Sequence, residues 1–143
     1  MNFSHSSALK CASAALFAAI LGCGPSDGSK EFGQGQAAYE VRDLKKAEKL
    51  LEKSLACAPN DVDRLLLLAR TELGLGELAK AKALVERAAA NSKGDADVSL
   101  LKAQVAWHAK DYKTAASGFS DIANNAALDA SVRAQGWAGL GVV

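Results

Sequence analysis

The chain has 143 residues, half of them hydrophobic, with a formal charge of +1, 30 alanines, 2 prolines and only 6% aromatic residues. Alanine has the highest helix propensity and lets helices approach closely, so this composition predicts packed helices and excludes an all-β domain. The near-zero charge provides no basic field for nucleic acid, and 3 cysteines are too few for a disulfide framework or a metal cluster.

In chain order, the polar start from Met1 to Lys10 carries Lys10 as its only basic side chain. From Cys11 to Gly22 the sequence CASAALFAAILG is an apolar run of 12 residues, shorter than the roughly 20 a membrane-spanning helix needs. A basic start, a short apolar stretch and small residues at its end predict a secretory signal peptide over residues 1–22. Its last residues, Ile20-Leu21-Gly22-Cys23, resemble the lipobox of bacterial lipoproteins. That resemblance implies a diacylglyceryl group on the Cys23 thiol, cleavage before Cys23 and acylation of the new amino terminus. Leu21 is bulkier than is usual at its position. Gly24 rather than Asp after the cysteine leans the implied address towards the outer membrane. An ordinary cleaved signal with an incidental Cys23 is the alternative.

Residues 23–30 include the string GPSDGSK, free of apolar side chains, and are expected to form a flexible tether. Cys57 would then be the one free thiol of the mature chain, expected to pack as a small hydrophobe at the end of an apolar helix face.

From residue 31 onwards the sequence repeats itself. Asp43-Leu44-Lys45-Lys46-Ala47 returns as Glu77-Leu78-Ala79-Lys80-Ala81 and as Asp111-Tyr112-Lys113-Thr114-Ala115, with the alanines 34 residues apart. Four residues after each alanine stands a larger apolar side chain, Leu51, Val85 or Phe119. Twelve residues before each stands a small one, Gly35, Ala69 or Ala103. Leu44, Ala47, Leu51 and Leu55 form one apolar helical stripe, and Lys45, Lys46, Lys49, Glu52 and Lys53 face solvent on the other side, where Lys49 and Glu52 can pair. Val62, Leu65, Leu66, Leu68 and Ala69 give a broader apolar surface, as an inner helix needs.

This period and pattern resemble the tetratricopeptide repeat. The resemblance implies an all-α, right-handed solenoid of antiparallel helix pairs over residues 31–143, with repeats at approximately 28–61, 62–95 and 96–129 and a partial fourth at 132–143. Gly76-Glu77-Leu78, Lys110-Asp111-Tyr112 and, more weakly, Arg42-Asp43-Leu44 occupy the turn within each pair. Asp43 and Asp111 can cap the helices that follow. Boundaries fall at Pro59-Asn60-Asp61, at Asn91 to Asp95 and at Asn124-Asn125. Trp137-Ala138-Gly139-Leu140-Gly141 resembles the start of a fourth unit, displaced by four residues through an insertion around Ala126 to Ser131. The apolar end at Val143, without a polar cap, is expected of a piece of a longer protein or of a helix that itself closes the stack.

No catalytic motif, phosphate loop, cofactor site or metal-ligand pattern is legible. Gly33-Gln34-Gly35 lacks the lysine and strand context of a phosphate loop. His5 lies in the leader, and His108 has no second ligand at ligand spacing. Asp95 and Asp97 flank a helix start, where they favour the helix dipole. Binding is therefore expected rather than catalysis. The resemblance implies a concave groove lined by Phe32, Gln36 and Tyr39, by Leu66, Arg70 and Leu73, and by Leu100, Gln104, Trp107 and His108. Leu66, Leu100 and Trp107 are equally open to a role in packing between helices. Phe32 and Gln36 depart from the Lys and Asn clamp that one subfamily uses for terminal carboxylates.

The expected function is a scaffold that docks a protein or peptide, anchored by lipid at the cell membrane or outer membrane on its periplasmic or extracellular side, in envelope or pilus assembly. The alternatives are the non-catalytic N-terminal part of a longer enzyme and a repeat lipoprotein that associates with itself.

Overall fold

The computed structural model describes residues 27–92 and 94–143. The expected signal peptide and Cys23 lie outside the described residues. Within them seven helices follow one another and no strand occurs: α1 (Ser29–Glu40), α2 (Leu44–Cys57), α3 (Val62–Leu75), α4 (Leu78–Asn91), α5 (Ala96–His108), α6 (Tyr112–Asn124) and α7 (Ala130–Leu140). Three helix pairs are followed by a single helix, so the fold is an α-solenoid.

Local chemistry sets the helix starts. Asp43, Asp61, Asp95 and Asp111 precede α2, α3, α5 and α6, and their carboxylates accept hydrogen bonds from the amides of Lys46 at 3.3 Å, Arg64 at 3.1 Å, Val98 at 3.3 Å and Thr114 at 3.2 Å. Each bond satisfies a donor that the first helical turn leaves unpaired. Hydrogen bonding from Thr114 holds the Asp111 carboxyl below its usual range.

The turns inside the pairs share a second device. Arg42, Gly76 and Lys110 stand at equivalent positions, with φ of 64°, 84° and 62°. Around each, two amides fold back onto helix-end carbonyls: Arg42 to Tyr39 and Asp43 to Ala38, Gly76 to Leu73 and Glu77 to Glu72, Lys110 to Trp107 and Asp111 to Ala106. This left-handed cap suits glycine. A side chain there costs about 1 kcal/mol, so Arg42 and Lys110 hold strain that Gly76 avoids.

Packing then follows the sequence period. Ala47, Ala81 and Ala115 are fully buried, and Leu51, Val85 and Phe119, one turn further along the same helices, are buried with them. Gly35 supplies the small residue of the first pair, where an added Cβ would come within 2.8 Å of the Leu51 side chain. One cluster runs from α1 to α5, and a second joins α5, α6 and α7. Helix α5 is shared, because Val98, Leu101 and Val105 enter the first cluster while Leu100 and Ala103 enter the second.

Polar joints lock the first two pairs together. Arg64 is buried and donates to the carbonyls of Asp27 and Ser54, both at 2.8 Å, while its guanidinium lies 5.8 Å from the centre of the Phe32 ring. Ser54 donates its hydroxyl to the Gly28 carbonyl at 2.9 Å. These bonds order the end of the stretch expected to be tether, and α1 opens at Ser29 inside it. Lys80 on α4 bridges Glu48 on α2 at 2.9 Å and Glu72 on α3 at 3.6 Å. Burial, reinforced by the neighbouring Glu48 charge, pushes the Glu72 carboxyl up, with Lys80 opposing. Lys49 and Glu52 do not form the expected pair among the described residues; Glu52 lies beside Glu48 and Glu72 instead. Cys57 is half-buried and disulfide-bonded rather than a free thiol. The other two cysteines, Cys11 and Cys23, lie outside the described residues.

Two substitutions test this packing. Ala81→Glu forces a carboxylate into a fully closed helix contact and should cost at least about 3 kcal/mol, read as lost helicity and a collapsed thermal transition. Lys110→Gly relieves a left-handed side chain and should raise stability in urea titration by roughly 0.5–1 kcal/mol.

Candidate functional site

Helices α1, α3, α5 and α7 contact one another in succession, whereas among the described residues α2, α4 and α6 make no comparable contact with each other. The first helices therefore line the tighter, inner face of the stack and the second helices form its outer face. The inner face is where the expected groove residues lie, and their exposures sort them.

Leu66 and Leu100 belong to the core, with exposures of 5% and 3%, and offer a partner almost no surface. Their positions face the seams between neighbouring helices, which corrects their assignment to an open groove. Phe32, Tyr39 and Leu73 are half-buried against the first core cluster and form its rim. Gln36 is exposed, with its amide 3.5 Å from the Glu40 carboxylate. Arg70 is half-buried at the middle of the face, and its guanidinium lies 3.9 Å from Asp97. So long a pair at the surface contributes little, which leaves Arg70 able to engage another acceptor.

The last part of the face holds a defined cleft. Gln104, Trp107 and His108 of the expected set line a space of about 370 Å³ together with Phe119, Gln135, Ala138, Gly139 and Val142. The Trp107 and His108 rings meet edge to face, with centroids 4.9 Å apart and planes at 85°. The Trp107 indole N–H donates to the Val142 carbonyl at 3.2 Å, which fixes the ring as a wall of the cleft. Trp137 stands nearby in sequence but is 57% exposed.

Gln135, Ala138, Gly139 and Val142 were not legible as site residues. They belong to the displaced fourth unit, where the strict period places nothing. The signal that could have found them is its pair of glycines. An added Cβ at Gly136 would lie 2.7 Å from the Ala123 amide nitrogen, and one at Gly139 would collide with the Phe119 ring. Both glycines bring α7 against α6, and that approach closes the cleft from the far side.

The cleft mixes aromatic, amide and imidazole groups on a rigid wall, so it can hold an apolar side chain and hydrogen-bond the backbone beside it. Among the described residues no histidine, cysteine or carboxylate cluster lies within it.

Known proteins share this architecture. The family profile described as Tetratricopeptide repeat matches residues 38–105. A comparison with curated protein sequences finds no match. Among solved structures, PcrH in complex with the chaperone binding region of PopD superposes with a TM-score of 0.70 at 19% identity, covering 80% of this chain and 88% of that one. The Arabidopsis OM64 TPR domain superposes with a TM-score of 0.68 at 16% identity, covering 81% and 96%. At these identities the likeness establishes the fold, a solenoid of tetratricopeptide type.

The wall formed by α7 can be tested on its own. Gly136→Ala places a methyl group against the α6 backbone and should loosen α7 by about 1–3 kcal/mol. Hydrogen exchange should quicken in residues 130–140 while α1 to α4 keep their protection.

Proposed function

We propose that this tetratricopeptide-type solenoid is a docking scaffold, which takes an extended segment of a partner protein along its inner face. One observation carries the reading: α1, α3, α5 and α7 form a continuous face on which Gln36, Arg70, Gln104, Trp107 and His108 remain accessible, the last three lining a preformed cleft. A rigid stack presents such groups with little ordering cost, so a flexible peptide supplies most of the adaptation. The similar fold of PcrH, solved with the chaperone binding region of PopD, supports this mode of use.

The address forms the second half of the proposal. Ile20-Leu21-Gly22-Cys23 marks Cys23 for acylation, which would take the Cys23 thiol in place of any pairing with Cys57, and the anchored chain would stand on the periplasmic or extracellular side of the cell membrane or outer membrane, serving envelope or pilus assembly. No helix among the described residues is long and apolar enough to cross a membrane. Two or three acyl chains would provide stable attachment, at about 0.8 kcal/mol per buried methylene.

The two halves are tested separately. Arg70→Glu and Trp107→Ala should each reduce partner recovery from envelope extract by tenfold or more at unchanged helicity, the scale expected for truncating a central anchor. Undiminished recovery by both variants would refute the groove. Cys23→Ser should abolish incorporation of radiolabelled fatty acid and release the chain from membranes; retention at the wild-type level would refute the anchor.

A further inference from the structure

On the outer side of the joint between the first two helix pairs, three carboxylates converge. Glu48 and Glu52 lie one turn apart on α2, and Glu72 reaches them from α3. A ligand oxygen from each lies within 4.8 Å of the others. Helical periodicity places the first two on one face, and the α2–α3 packing brings the third against them.

Glu72 sets this group apart from an ordinary acidic surface. It is only 2% exposed, and its Oε2 has no hydrogen-bond partner. The Lys80 ammonium lies 3.6 Å from that oxygen, beyond hydrogen-bonding distance, and spends its short contact of 2.9 Å on Glu48. A buried carboxylate oxygen without a donor is costly, and Lys80 is shared between Glu72 and Glu48.

We propose that Glu48, Glu52 and Glu72 form a binding site for a hard divalent cation of the Ca²⁺ type, which displaces Lys80. Three oxygens 4.8 Å apart share a centre about 2.8 Å from each, so a small side-chain adjustment brings them to the ~2.3–2.6 Å typical of Ca²⁺. Mg²⁺ holds its ligands at ~2.0–2.1 Å in a stiff octahedron and would require them to close further. Three carboxylates leave the remaining positions to water, since Glu52 is exposed and Glu48 only partly covered. The Lys80 side chain is 51% exposed and can swing into solvent as the ion enters. A bound ion would cross-link α2 to α3 and so stiffen the joint between the first and second pairs.

Isothermal titration and thermal melting of the full chain, stripped with chelator, test the site with CaCl₂ and MgCl₂ as probes. Ca²⁺ should bind one site with Kd of about 0.1–1 mM, the range of extracellular calcium modules, raise the melting temperature and outcompete Mg²⁺. Lys80→Ala removes the competing ammonium and should tighten binding several-fold. Glu72→Gln should abolish the response, and Glu52→Gln, at an exposed position, should weaken it at least threefold without altering helicity. The proposal is overturned if neither the wild type nor Lys80→Ala binds Ca²⁺, or if the Glu72→Gln and Glu52→Gln variants both bind as the wild type does.

Discussion

The contact of a small side chain on one helix with its neighbour, made at Ala47, Ala81 and Ala115, governs the rest of the molecule. A helix pair of this size has apolar surface on more sides than it can cover by itself, so stability comes from stacking. Stacking requires each pair to present the same depth at the same place. Alanine meets that requirement because its methyl group fills the contact without holding the helices apart, and Leu51, Val85 and Phe119, one turn further along the same helices, are buried with it. A larger or charged group at any of these positions would open a seam along the whole helix.

The inner face follows from the same constraint. Helices α1, α3, α5 and α7 touch in series, while among the described residues the second helices make no comparable contact with each other. Side chains pointing into the seams, such as Leu66 and Leu100, become core. Those a few residues further along the same helices, such as Arg70, Gln104 and His108, remain available. Core and groove are thus neighbouring positions on one helix, separated by a fraction of a turn. The two roles are hard to alter independently, which is why substitutions at exposed groove positions probe binding better than those at the rim.

The structure also divides its polar chemistry by location. On the inner face polar groups are spaced apart and lightly engaged, as the 3.9 Å separation of Arg70 and Asp97 illustrates. At the α2–α3–α4 joint they are crowded, with Glu72 buried and Lys80 shared between two carboxylates. Spaced polar groups suit an adaptable partner segment. Crowded charge at a seam instead couples neighbouring pairs, either through Lys80 or through the cation proposed in its place.

Period and capping were properties of the sequence itself. The spacing of Ala47, Ala81 and Ala115, the acidic starts at Asp43 and Asp111 and the turns at Arg42, Gly76 and Lys110 depend on contacts within a helix or across one short turn, so local pattern was enough to place them. Other features required the folded chain. Leu66 and Leu100 carry the same residue type as an exposed apolar anchor would, and only the seam against a neighbouring helix made them core. The cleft wall at Gln135, Gly139 and Val142 arose from the displaced register of α7, which no fixed period could supply. Glu52 belongs to a stretch that reads as a solvated helix face, and its meeting with Glu48 and Glu72 depends on how α2 packs on α3. The charge of +1 and the wealth of alanine pointed to stacked helices and offered no basic field for nucleic acid. Which side chains the stack leaves open was decided by tertiary structure, because exposure depends on the neighbour across the seam rather than on the residue alone.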